Sequence, residues 1–235
     1  MSEEENLPNL SEKEYISLLL FRAQIYSILR NIFLFEPSRE YLNNLLQDRF
    51  LNKIIEVYPE KCLRDSASDF LEAVMEILRG GENALIDTWA EYTRLFIGPG
   101  PPATPPYESL WIDEHEARRY KGEAWLKVRD WLLDEGLILE SQTILEDHAG
   151  IEFEYMMVST IKAVEMLEKN DRTGFINILI KQKKFLEEHL ITWIIKLCDA
   201  IEQKSHSSFY KSFARFTKYF IKEDEDLLKQ ILNNL

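Results

Sequence analysis

Cysteine is nearly absent: Cys62 and Cys198 stand alone, far apart and in no Cys-x-x-Cys pair. That spacing suggests neither a disulfide framework nor a zinc site. Glycine and proline are also scarce, eight of each in 235 residues, and five of the prolines fall between positions 99 and 106. Helix breakers are therefore rare outside one short stretch. No Asn-Gly or Asp-Gly dipeptide and no sustained apolar/polar alternation marks a β-hairpin. No repeat of constant period points to a solenoid. Positive charge is in deficit, with 28 Lys and Arg against 41 Asp and Glu and a net charge of -13. Such a surface repels nucleic acid and suits a cationic partner, although surplus acid also serves solubility alone. Long apolar runs are missing too. "ISLLLF" and "LITWII" are cut by Arg22 and Lys196, well short of the roughly 18 residues a bilayer span needs. The start, "MSEEENLPNLSEKEY", has acid where a secretory signal has base and then an apolar core. A cytoplasmic protein with no direct membrane insertion is expected.

What remains is helical. Hydrophobic residues make up 46% of the chain, enough for a sizeable core. Between positions 15 and 33 apolar residues recur at three- and four-residue spacing behind a Ser11/Glu14 capping box, and Pro37 ends the segment. Further helices are expected over 39–57, over 66–78 with "RGG" as the stop, and from 83 towards 96 with Gly98-Pro99 as the stop. Downstream, Phe153 to Leu167 forms one apolar face, Phe175 to Ile201 keeps the same period for one long helix, and Phe209, Phe213, Phe216 and Phe220 form a last one. The fold class is all-α. Residues 1–97 form an N-terminal helical half, 98–115 a proline-rich hinge, and 116–235 a C-terminal half, all within one compact unit.

The usual constellations of catalysis fail in turn. No Gly precedes a Lys, which removes the phosphate-binding loop, and no GxGxxG occurs. The residues three before the four histidines are Ile112, Leu145, Leu186 and Gln203, so the Glu-x-x-His pairs of di-iron bundles are missing. GxSxG, HExxH and catalytic-cysteine signatures are absent as well. No cofactor or metal is expected. The densest polar cluster is "ILEDHAGIEFEYM", residues 144–156. Asp147 there suits a simple helix cap, with His148 as a helix-start residue. A hydrolytic metal site at Glu146, Asp147, His148 and Glu152 is the alternative, but one His beside carboxylates specifies little.

The stretch "YTRLFIGPGPPATPPYESLW", residues 92–111, stands apart. It can serve as a rigid connector, or "PPATPP" as a polyproline II ligand. Trp89, Tyr92, Phe96, Tyr107 and Trp111 at its ends exceed what a connector needs, and amphipathic aromatics suit peptide binding. Glu91, Glu108, Asp113 and Glu114 add negative charge. Together they suggest a surface for an apolar and cationic segment.

"EYTRLFIGPG", "PPYESLW", "EDH", "KKFLEEHLITWI" and "SFYKSFARFTKYF" follow one another over about residues 85–225. In this order they resemble the redox-enzyme maturation chaperones of the TorD/DmsD-like family, related to NarJ, which assist molybdenum-cofactor oxidoreductases. The resemblance implies a TorD-like helical bundle, no catalysis, and a partner that is a molybdoenzyme catalytic subunit precursor with its twin-arginine leader. The peptide-binding residues it implies are Glu91, Tyr92, Leu95, Phe96 and Gly98 from the first motif. From the second come Pro105, Pro106, Tyr107, Glu108, Ser109 and Trp111, and from the third Asp147 and His148. It allows a monomer or a helix-swapped dimer, and equally a NarJ-type factor acting on a mature cytoplasmic subunit; a nucleotide- or metal-dependent hydrolase is the outlying alternative. One departure stands out: the family's Glu-Pro ahead of the x-Asp-His is Ile144-Leu145 here.

Overall fold

A computed structural model describes residues 10–112, 120–139 and 143–235. Helix α1 (Glu12–Leu34) starts where expected, the Ser11 backbone N–H donating to the Glu14 carboxylate at 2.7 Å. The chain then leaves in extended geometry through Phe35 towards Pro37.

Where one helix is expected over 39–57, the chain forms two, α2 (Arg39–Gln47) and α3 (Phe50–Val57). Arg49 sits between them in the left-handed region (φ 49°, ψ 27°). The turn lets Leu42 and Leu45 of α2 and Leu51 and Ile54 of α3 reach the same core, which a straight helix could not do. The opposite difference occurs next. The stop expected at "RGG" is present as a kink at Gly81 (φ 73°, ψ -148°), but helical hydrogen bonding resumes at once, so α4 runs from Lys61 to Tyr92.

Helix α5 (Glu123–Asp134), which the periodicity did not announce, buries only the stripe Ala124, Val128 and Leu132. Helix α6 (Ala149–Glu168) is followed by α7 (Arg172–Phe185). A π-helical turn, Leu186–Leu190, joins α7 to α8 (Ile191–Lys204), so the long helix expected over this stretch is continuous but carries one wide turn. Helix α9 (Ser208–Asn233) closes the bundle. Among the described residues no strand forms, and the architecture is all-α.

The broadest packing is α1 on α6, then α4 on α9 and α8 on α9. One core thus crosses both sequence halves. The Phe33 ring of α1 meets Phe96 at 5.6 Å, Phe153 of α6 at 5.7 Å and Phe213 of α9 at 5.1 Å. Burying such a ring contributes about 1.5–3 kcal/mol. At the α1–α6 crossing a Cβ on Gly150 would lie 2.4 Å from Leu34 Cγ, so only glycine permits this approach. Helix α1 is long and apolar enough to cross a membrane, yet Leu19, Ile25, Leu29, Ile32 and Phe33 are wholly buried in the bundle.

The same helix carries a buried cation. Arg22, fully enclosed, donates from Nη2 to Asp224 Oδ2 at 2.8 Å and from Nη1 to Thr160 Oγ1 at 2.8 Å, and also reaches Gln182. The Tyr26 hydroxyl donates to the same Asp224 at 2.6 Å. Burial alone would pull the Arg22 pKa down; the facing Asp224 carboxylate more than offsets it.

Candidate functional site

The end of α4 widens into a π-helical turn, Thr93–Ile97, closed by Gly98 N–H donating to the Thr93 carbonyl at 2.6 Å. Gly98 has φ 74°, and a Cβ there would stand 2.2 Å from the Gly100 carbonyl oxygen. Glycine is required at this corner. The turn frees two carbonyls for the loop that follows: Arg94 accepts from Ala103 N–H at 3.1 Å, and Leu95 from Thr104 N–H at 2.8 Å. Tyr92 donates its hydroxyl to the Phe33 carbonyl at 3.0 Å. Trp89 donates to the Pro37 carbonyl at 2.9 Å, tying the α1–α2 connector to α4.

The proline loop is laced to the start of α6. Ala149 N–H donates to the Pro106 carbonyl and Glu108 N–H to the Asp147 carbonyl, both at 2.9 Å, a short antiparallel bridge between Tyr107 and His148. Ser109 N–H donates to Asp147 Oδ2 at 3.1 Å, and Trp111 Nε1 to the Pro105 carbonyl at 2.7 Å. The cap of α6 is His148, not Asp147: its Nδ1 accepts from Gly150 N–H at 3.0 Å, which leaves the proton on Nε2. Burial pulls its pKa down to about 3. Asp147 instead holds the loop.

Beneath the loop lie three buried carboxyls. Glu108 meets His189 Nδ1 at 3.0 Å, and that histidine sits in the second π turn. Burial raises the Glu108 pKa against the opposing pull of His189. Burial likewise raises Asp147 despite the Ser109 contact. Glu152 accepts from Trp193 Nε1 at 3.1 Å; burial first and then the nearby Glu108 charge push it well above the ordinary carboxylate range. Asp147 Oδ1, Glu152 Oε1 and Ser109 Oγ find no hydrogen-bond partner. The alternative ligand set of Glu146, Asp147, His148 and Glu152 is divided among separate partners, Glu146 taking Trp125 Nε1. Among the described residues no group of three or more His, Cys, Asp or Glu is arranged to hold a metal ion.

In front of this framework opens a cleft of about 640 Å³, lined by Leu34, Tyr92, Phe96, Ile97, Pro102, Tyr107, Tyr120, Lys121, Thr143, Ile144, Leu145 and His148. The Tyr107 ring stands edge-on to Tyr120 at 5.2 Å and to His148 at 5.0 Å. Of the residues singled out from sequence, Tyr92, Phe96, Tyr107 and His148 come together on the cleft. Leu95, Glu108, Ser109, Asp147 and Pro106 are buried behind it, Gly98 shapes its corner, and Pro105 accepts the Trp111 indole. Glu91 is committed elsewhere, to Arg94 at 2.7 and 2.8 Å, Ser205 Oγ at 2.8 Å and His206 N–H at 2.6 Å. Burial alone would raise its pKa, but these partners hold it at about 2. Asp113 and Glu114 lie outside the described residues. As lining residues, sequence reasoning missed Leu34, Ile97, Pro102, Tyr120, Lys121, Thr143, Ile144 and Leu145. Ile97 and Pro102 lie inside the singled-out stretch, whereas nothing local marks Leu34 or Tyr120. Ile144 and Leu145 make this wall apolar.

Residues 60–199 match the family described as nitrate reductase delta subunit, and the chain belongs to that family. It is similar to the chaperone protein TorD of Vibrio cholerae, 22% identical over 213 residues that cover 90% of this chain and 93% of that one. The TorD of Aliivibrio salmonicida is 25% identical over 212 residues, 88% and 94% of the two chains. The Tat proofreading chaperone DmsD of Salmonella typhimurium is 27% identical over 138 residues, 58% of each. Among solved structures, a protein of Archaeoglobus fulgidus described as a redox enzyme maturation protein aligns over 94% of this chain and 99% of its own, at 17% identity and a TM-score of 0.49.

Proposed function

We propose that this protein is a non-catalytic maturation chaperone of the cytoplasm that holds the precursor of a molybdenum-cofactor oxidoreductase by its twin-arginine leader. The observation that carries the reading is the aromatic cleft of about 640 Å³ at the meeting point of the first three motifs. A leader peptide offers an apolar run beside its arginines. Tyr92, Phe96, Tyr107, Ile144 and Leu145 suit the apolar run, and the cleft size is that of ordinary ligand sites. Relatives named as TorD chaperones and as a Tat proofreading chaperone support the same reading. In it, residues 1–97 and 116–235 are two halves braced by the proline loop, whose hydrogen-bonded, preformed wall loses little entropy when peptide enters.

The test is calorimetric titration of the full chain with a synthetic twin-arginine leader and with the same leader carrying serines in its apolar run. Micromolar or tighter binding that the serine version loses is the expected result. A leader that binds equally well with serines puts the peptide elsewhere on the surface. If no leader binds, the reading gives way to recognition of a mature catalytic subunit, which the family's description as a nitrate reductase subunit favours.

A further inference from the structure

Among the described residues, the carboxylates that the sequence offers for a leader's arginines are taken. Glu91 is bound to Arg94, Glu108 faces His189 in the interior, and Asp147 is wholly buried against Ser109. The lining of the cleft itself carries Lys121, which repels arginine. A leader in this cleft would need acid for its basic end at the rim.

Among the described residues, an exposed carboxylate stands near it. Glu36 follows Leu34 and Phe35 at the end of α1, and Leu34 lines the cleft. Its carboxylate lies 3.4 Å from the Thr93 hydroxyl, in the π turn whose Phe96 and Ile97 also line the cleft. Its charge is felt by Tyr92, another lining residue. Among the described residues it takes part in no ion pair; the nearby Arg30 reaches Asn31 and Glu154 instead. The segment is held in place, because Trp89 binds the Pro37 carbonyl and Tyr92 the Phe33 carbonyl. Phe35 at 55% and Ile97 at 57% exposure place apolar surface on the two segments that meet at this carboxylate.

Resting on the leader-binding reading above, we propose that Glu36 is the specificity residue that pairs with a guanidinium of the leader while the apolar run continues into the cleft. An exposed carboxylate with a free face is what a bidentate guanidinium contact requires.

The experiment is a two-by-two titration: full-length protein and its Glu36→Gln variant, each with a synthetic twin-arginine leader and with that leader carrying glutamine for both arginines. Glu40→Gln, another exposed acid, serves as a charge-matched control. Glu36→Gln is expected to weaken the arginine leader by about three- to tenfold, with the gap shrinking in molar salt, and to change the glutamine leader by less than about 1.5-fold. Unchanged binding of the arginine leader to Glu36→Gln, or an equal loss in Glu40→Gln, overturns the assignment while the chaperone reading stands. An equal loss on both leaders overturns it too, since Glu36 would then act on something other than the arginines. Failure of the unmodified protein to bind either leader removes the leader-binding reading and this inference with it.

Discussion

Two buried polar groups sit at opposite extremes of satisfaction. Around Arg22 nearly every donor and acceptor is matched: a cation faces a carboxylate, and Tyr26 and Thr160 complete the set, with Gln182 Nε2 alone unpaired. Under the proline loop one of three buried carboxyls, Glu108, faces a histidine, the other two take only Ser109 N–H and the Trp193 indole, and three oxygens have no partner. The first group ties α1, α6, α7 and α9 together and is built to stay shut. The second holds a loop to a helix start with little electrostatic margin, and it lies directly behind the cleft. Low local stability is where binding segments are drawn from.

Removing one half of the matched group should have the largest effect. Arg22→Leu leaves Asp224 buried and uncompensated and should cost about 3–5 kcal/mol. In thermal unfolding that appears as a fall of roughly 10 °C. Adding Asp224→Leu should recover most of it, and failure to recover would show that packing rather than charge holds this point. Gly98→Ala comes next: strain at positive φ and the clash with Gly100 should cost about 1–3 kcal/mol and disturb Phe96 and Ile97, lowering both melting temperature and leader affinity.

Tyr107→Ala removes a cleft wall without touching a buried charge. It should weaken leader binding about tenfold, equal to about 1.4 kcal/mol, with little change in melting temperature. An equal change in both would make Tyr107 structural. Per pH unit, the smallest effect belongs to the buried carboxyls behind the cleft. Glu152 has its folded pKa raised above the ordinary 4.5, so the stability it contributes is complete below that value and is lost as pH climbs through its folded pKa. Glu152→Gln should therefore gain on the unmodified protein as pH rises above 4.5, by at most about 1.4 kcal/mol per unit. His148, depressed to about 3, works in the opposite sense and costs stability as pH falls from 6.5. Denaturant midpoints across pH 4 to 9 would show the crossing, and a pH-independent difference would place Glu152 in its charged form.

The helices were legible because their signals are local: the capping box of α1, the phenylalanine period of α9 and the Gly98-Pro99 stop all lie within a few residues. The break at Arg49 was not, since no glycine or proline marks it and only the shared core of α2 and α3 selects it. Helix α5 escaped notice because its buried stripe is three residues wide. Arg22 read as an interruption of an apolar run, its partners Thr160, Gln182 and Asp224 lying 138, 160 and 202 residues away. The aromatics of the cleft were visible as types. That the carboxylates beside them point inward was not, because burial depends on which helix covers which.

The two π turns also set the phase of the site. An α-helix advances about 100° per residue, so one residue added to a turn rotates everything beyond it by that amount. Thr93–Ile97 does this just before Gly98, and Leu186–Leu190 does it around His189. Deleting a single residue from either would leave the helices intact and turn their cargo away, Phe96 from the cleft or His189 from Glu108. The site is kept in tune by two extra residues, one at the end of α4 and one between α7 and α8.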